Sequence, residues 1–138
     1  MQDLPSPTVA VINTSEDVAE LLGTALSDEG YDTAVGYVVD FRAGRQDLDE
    51  FLRRHRPQVI IWDIAIPYAL NWEYFLRVRE THGDCSFVLT TTNKDALESI
   101  VGPTETTEIV GRPFDLEHVI QAVQRVIARL NGKSPTAG

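Results

Sequence analysis

The chain has 138 residues, one domain's worth at the usual size of roughly 100 to 150, and 43% hydrophobic with 24% charged residues is the balance of a folding globular protein rather than a disordered one. Its 21 acids against 12 Lys and Arg give a net charge of −9, a field that repels phosphate backbones and anionic lipid and argues against direct nucleic-acid or membrane-surface binding. The single cysteine, Cys85, rules out an intrachain disulfide and a cysteine-clustered zinc site and suits a reducing, cytoplasmic setting, while no apolar run approaches the roughly 20 residues of a membrane span.

The first apolar run, Val9 to Ile12, reads as a strand buried on both faces. Val18, Leu21, Leu22, Ala25 and Leu26 then fall at helical spacing, with Ser15 as N-cap and Glu16 and Asp17 in a first turn where acids favour the dipole. Gly30 introduces a strand candidate over Tyr31 to Tyr37. Leu48, Phe51 and Leu52 mark a helix before Pro57, and Val59 to Trp62 the next strand. Trp72, Phe75 and Leu76 mark a helix ending near His82-Gly83. Phe87 to Leu89 is the fourth strand, Ala96, Leu97 and Ile100 a short helix cut off by Gly102-Pro103, and Ile109-Val110 a weaker fifth strand. The longest stripe, Leu116, Val119, Ile120, Val123, Val126, Ile127 and Leu130, predicts a last helix that stops at Asn131-Gly132.

Strand and helix thus alternate five times, which predicts an α/β domain with a parallel sheet over residues 8–130, an N-terminal extension over 1–7 and a flexible tail or linker over 131–138. Ligands of open parallel sheets bind beyond the carboxyl ends of the strands. The residues that follow the runs there are Asn13 and Thr14, Asp63, Thr90 to Thr92, and Arg112.

Val9 to Leu22, Pro57 to Glu73, Phe87 to Thr92 and Ile109 to Leu116 together resemble the receiver domain of bacterial two-component response regulators. Asp63-Ile-Ala-Ile-Pro67 is similar to the family's Asp-x-x-x-Pro, and Arg112-Pro113-Phe114 to its Lys-Pro-Phe. The resemblance implies a flavodoxin-like (βα)5 three-layer sandwich with strand order 2-1-3-4-5. It implies a phosphorelay switch in which Asp63 accepts a phosphoryl group from a histidine kinase or phosphotransfer protein. Thr91 is then the hydroxyl that contacts the phosphoryl group, and Ala65 supplies a backbone carbonyl to Mg²⁺. A cis peptide before Pro113 is also implied, as is a partner or homodimer face near the fourth helix and fifth strand that serves a downstream protein or the chain's own output domain.

The departures bear on mechanism. Where the family has an acidic pair, this chain has Asn13 and Thr14, so a metal set of Asp63, Ala65 and Asn13 is expected to hold Mg²⁺ weakly or not at all. Arg112 replaces the lysine and suits a bidentate clamp on Asp63. Ile109 stands at the position of the reporting aromatic, and Leu70 at that of an acid. From Gly30 to Pro57 the chain is longer than the family's pattern by about half a dozen residues, with Val38-Val39-Asp40-Phe41-Arg42 inside, either an exposed partner contact or an extra turn packed on the domain.

Structural roles compete elsewhere. Three consecutive threonines suit a strand end by β-propensity alone. Cys85 reads as a packed thiol, Arg53-Arg54-His55-Arg56 as a solvated helix end, and Trp62 turns away from Asp63 into the core. His55, His82 and His118 are not spaced as a metal set. The expectation is therefore a signalling module rather than a turnover enzyme, with two mechanisms: a switch phosphorylated at Asp63, or a pseudo-receiver that binds partners without phosphorylation. A small flavodoxin-like enzyme or cofactor binder is the alternative from another class, disfavoured because no Gly-rich loop follows the first strand.

Overall fold

The computed structural model describes residues 7–83, 85–101, 108–111 and 116–132. Five strands, β1 (Thr8–Asn13), β2 (Asp32–Tyr37), β3 (Val59–Ile64), β4 (Ser86–Thr91) and β5 (Glu108–Gly111), form one sheet in the order β2-β1-β3-β4-β5. Every pairing is parallel. Among the described residues, six helices connect and cover it: α1 (Glu16–Asp28), α2 (Val38–Arg42), α3 (Leu48–His55), α4 (Tyr68–Thr81), α5 (Lys94–Val101) and α6 (Leu116–Gly132). The predicted strand order and three-layer sandwich are observed. α6 runs through Asn131 to Gly132, two residues into the predicted tail.

The alternation of side chains along the strands divides the core in two. Ala10, Ile12, Ile60, Trp62, Ile64, Phe87 and Leu89 face α2 to α5, where they meet Val38, Phe41, Phe51, Leu52, Trp72, Phe75, Val78 and Leu97. Val9, Val11, Val59, Ile61 and Val88 face α1 and α6 and pack on Leu22, Leu26, Val119, Val123 and Val126. All six residues of β3 are buried, as are all six of β4. This explains their unbroken apolar runs: a central parallel strand has no solvent face to spend on polar residues. The Phe75 ring meets Phe87 edge-on, with centroids 4.9 Å apart.

Local signals set the ends. The Ser15 hydroxyl accepts from the Val18 amide at the start of α1, and Asp47 does the same for Glu50 at the start of α3. α3 ends on Arg56, whose left-handed φ of 47° closes the helix just before Pro57. The peptide between Ile66 and Pro67 is cis.

The segment between β2 and α3 resolves both readings of Val38 to Arg42. It is a short helix, α2, that packs Val38 and Phe41 into the core and leaves Val39 53% exposed. Phe41 meets Phe51 at 5.3 Å and lies over Gly36, where a Cβ would come within 2.8 Å of the Phe41 ring. A glycine in β2 is what lets α2 approach this closely.

Candidate functional site

Asp63 is the fifth residue of β3 and 4% exposed. Its register partner on β4 is Thr90, so the two side chains share the sheet face that carries α1 and α6. The Thr90 hydroxyl donates to Asp63 Oδ1 at 2.7 Å. Thr14, just past β1, donates its hydroxyl to Asp63 Oδ2 at 2.8 Å. Both carboxylate oxygens are thereby engaged by hydroxyl donors.

Thr91, the hydroxyl that the resemblance assigns to a phosphoryl group on Asp63, does not contact the carboxylate itself. It pairs with Ile64, one residue on, and period-two alternation turns it to the opposite face, where its Oγ1 is buried without a hydrogen-bond partner. Thr90 makes that contact instead. The register was legible in principle, because Phe87 and Leu89 must both face the larger core, which fixes Thr90 on the side of Asp63.

Asn13 is fully buried at the end of β1, on the same face. Its Oδ1 accepts from the Ser15 amide at 2.8 Å, leaving Nδ2, a donor, as its unpartnered atom. Ala65 lies just beyond β3, and its carbonyl accepts from Asn71 Nδ2 at 2.8 Å. Asn71 Oδ1 in turn accepts from Arg42 of α2. Arg42 also lies over the Tyr74 ring, 4.9 Å from its centroid. Burial pushes the Tyr74 phenol above its ordinary value of 10, against the pull of the Arg42 and Arg77 guanidinium groups, so it is neutral at neutral pH. Arg42, Asn71 and Tyr74 are site residues that the sequence reading did not single out. Asn71 carried the one available signal, a polar side chain one position before the core residue Trp72.

These donor sets decide the fit to Mg²⁺. A hard cation needs several oxygen acceptors, preferably charged. Here the Asp63 oxygens take hydroxyl protons, the Ala65 carbonyl takes an amide proton, the Asn13 oxygen takes a backbone proton, and the free Asn13 atom is a donor. Glu16 and Asp17 stay in the first turn of α1. Among the described residues no group of three His, Cys, Asp or Glu side chains could hold a metal ion. The residues present do not fit Mg²⁺. Arg112 and the cis peptide expected before Pro113 lie outside the described residues, so the clamp on Asp63 does too.

A cleft of about 260 Å³ opens beside Asp63, lined by Thr14, Val38, Trp62, Ala65, Asn71 and Tyr74 among others. A larger cavity, of about 720 Å³, lies at the opposite, amino-terminal edge of the strands and takes in Arg53, Arg56, His82 and Cys85. There the basic run Arg53-Arg54-His55 forms the last turn of α3, where cations offset the helix dipole. His82 pairs with Asp49 at 2.9 Å, and the Cys85 thiol donates to the Pro57 carbonyl. No helix among the described residues is long and apolar enough to cross a membrane.

A five-stranded parallel sheet in the order β2-β1-β3-β4-β5 is the fold of response-regulator receiver domains. Solved structures bear this out. A response regulator from Thermotoga maritima superposes with a TM-score of 0.68 at 20% identity, over 89% of this chain and 98% of that one. The chemotaxis protein CheY4 of Vibrio cholerae gives 0.65 at 24% identity, over 88% and 98%. The Francisella response regulator 1452 receiver domain gives 0.65 at 19% identity, over 91% and 99%. Among curated sequences, the transcriptional regulatory protein YxdJ of Bacillus subtilis is 26% identical over 126 residues, 91% of this chain. The chain spans about half of that relative's length, 52%. No protein-family profile matches the sequence.

Proposed function

We propose that this chain is a pseudo-receiver, a signalling module that presents surfaces to protein partners without Mg²⁺-dependent phosphorylation of Asp63. The observation that carries the reading is that the Asp63, Ala65 and Asn13 oxygens expected to hold Mg²⁺ each accept a hydrogen bond from within the domain, at 2.7 to 2.8 Å. Phosphoryl transfer to a carboxylate brings two anionic groups together and relies on the cation to offset that charge. With Thr14 and Asn13 in place of acids, Asp63 is the one carboxylate of the expected metal set, and hydroxyls engage both of its oxygens. The partners of such a module are a downstream protein or an output domain, the latter in keeping with the greater length of the transcriptional regulator it resembles.

A phosphorylation-driven switch, fed by a histidine kinase or phosphotransfer protein, is the second reading. It is favoured by one observation, the Thr90 hydroxyl 2.7 Å from Asp63. Incubation with acetyl phosphate and millimolar Mg²⁺, followed by intact-mass measurement, separates the two. The pseudo-receiver acquires no phosphoryl adduct. A stoichiometric adduct that disappears in Asp63→Asn would overturn this reading in favour of the switch.

A further inference from the structure

The cleft beside Asp63 has the make-up of a small-ligand site. Its inner wall is formed by Val38 and Trp62, both buried, and its rim by Val39 and Ile66, which are 53% and 72% exposed. Apolar side chains left this open beside a concave surface are where an apolar ligand gains most from leaving water. The polar groups converge from three elements: Thr14 after β1, Arg42 on α2, and Asn71 and Tyr74 on α4.

Charge decides the class of ligand. Asp63, beside the inner wall, is nearly buried and has hydroxyl donors on both oxygens, so its carboxylate offers no donor to an anionic head group, and the buried Val38 and Trp62 side chains suit an apolar one. Arg42, at the exposed end, is positioned by Asn71 and by the Tyr74 ring, and its five N–H donors exceed what Asn71 takes up. A guanidinium held in this way is a fork suited to a carboxylate.

We infer that the cleft binds a small organic carboxylate, its apolar body against Val38 and Trp62 and its carboxylate on Arg42. A volume of about 260 Å³ is below that of drug-sized pockets, which sets the ligand at on the order of ten non-hydrogen atoms. Such a ligand ties α2 to the β3–α4 connection and so gives the module an input other than phosphorylation. The proposal deepens the pseudo-receiver reading, but it stands or falls on a separate experiment.

The probe is phenylacetate, titrated into ¹⁵N-labelled full chain without Mg²⁺ while the shifts around Trp62, Arg42 and Asn71 are followed. The expected result is a saturable shift at millimolar concentration or below, about tenfold weaker for the neutral isostere phenylacetamide and about tenfold weaker in Arg42→Ala. Val39→Glu, an exposed change that sets a like charge on the rim, weakens binding as well. Arg45→Ala, on the pair with Asp40 outside the cleft, retains it. Absence of saturation up to about 10 mM, or equal affinity of the wild type and Arg42→Ala, would overturn the inference. A phosphoryl adduct on Asp63 would instead overturn the pseudo-receiver reading and leave this titration as it stands.

Discussion

Thr90 and Thr91 are adjacent and chemically identical, yet the pleat of β4 gives the first a carboxylate and the second an apolar core. Replacing the Thr90 hydroxyl with the methyl of valine keeps the shape and strips one donor from buried Asp63, at a cost of about 1.5 to 3 kcal/mol for a hydrogen bond to a charged group. Thr91→Val removes a hydroxyl that has no partner and is neutral or stabilising by up to about 1 kcal/mol. Urea denaturation of the two variants measures both, and the reverse order would refute the register. Asn13, Asp63, Thr90 and Thr91 lie at the carboxyl edge, as expected from the ends of their apolar runs. Which threonine meets the carboxylate follows from the alternation of β4, with Phe87 and Leu89 on the larger core and Thr90 on the side of Asp63. The hydrogen bonds that the Ala65 and Asn13 oxygens accept come from Asn71 Nδ2 and the Ser15 amide, contacts that no residue type announces.

At the scale of elements, α2 is the part that the apolar periodicity left undecided. Five residues are too few to show a helical stripe, and exposed Val39 between buried Val38 and Phe41 reads equally well as a partner contact or a packed turn. Its placement depends on Gly36. Gly36→Ala puts a methyl into the Phe41 ring and destabilises the fold by about 1 to 3 kcal/mol. Adding Phe41→Leu recovers part of that loss, a coupling that a double-mutant cycle detects; strict additivity would show that α2 does not rest on β2. A second junction, between β5 and α6, is ionic. Glu108 accepts from Arg125 and Arg129, each at 3.0 Å. Burial alone would push its carboxyl up, but the two guanidinium groups outweigh it and hold the group below its ordinary value of 4.5. A depressed carboxyl contributes stability that is fully present above the unfolded value and is lost as pH falls through the folded one. The melting temperature of the wild type therefore drops more steeply below about pH 4.5 than that of Glu108→Gln, whose side chain does not titrate. Parallel curves for the two proteins would show that the pair has no net effect.

The whole molecule was the most legible level. Four short apolar runs and the helical stripes between them imply a parallel sheet, and the strand order followed from the family resemblance rather than from periodicity. Both are observed. The two-sided core explains why: buried central strands show as continuous runs, and amphipathic covering helices as stripes. The net charge of −9 is a property of the surface, whereas the edge that would hold a cation carries Asp63 with Asn13 and Thr14 beside it. Restoring the lost acids tests whether that edge alone sets the mechanism. Asn13→Asp with Thr14→Asp supplies two carboxylates and removes the hydroxyl on Asp63 Oδ2, so it gains Mg²⁺ affinity. The most direct measurement is a titration of both proteins with Mg²⁺ and beryllofluoride, followed by amide shifts around Asp63. The wild type is predicted to show no saturable change at millimolar Mg²⁺, and the double variant a saturable one. A saturable response at Asp63 in the wild type, abolished by Asp63→Asn, would contradict the account.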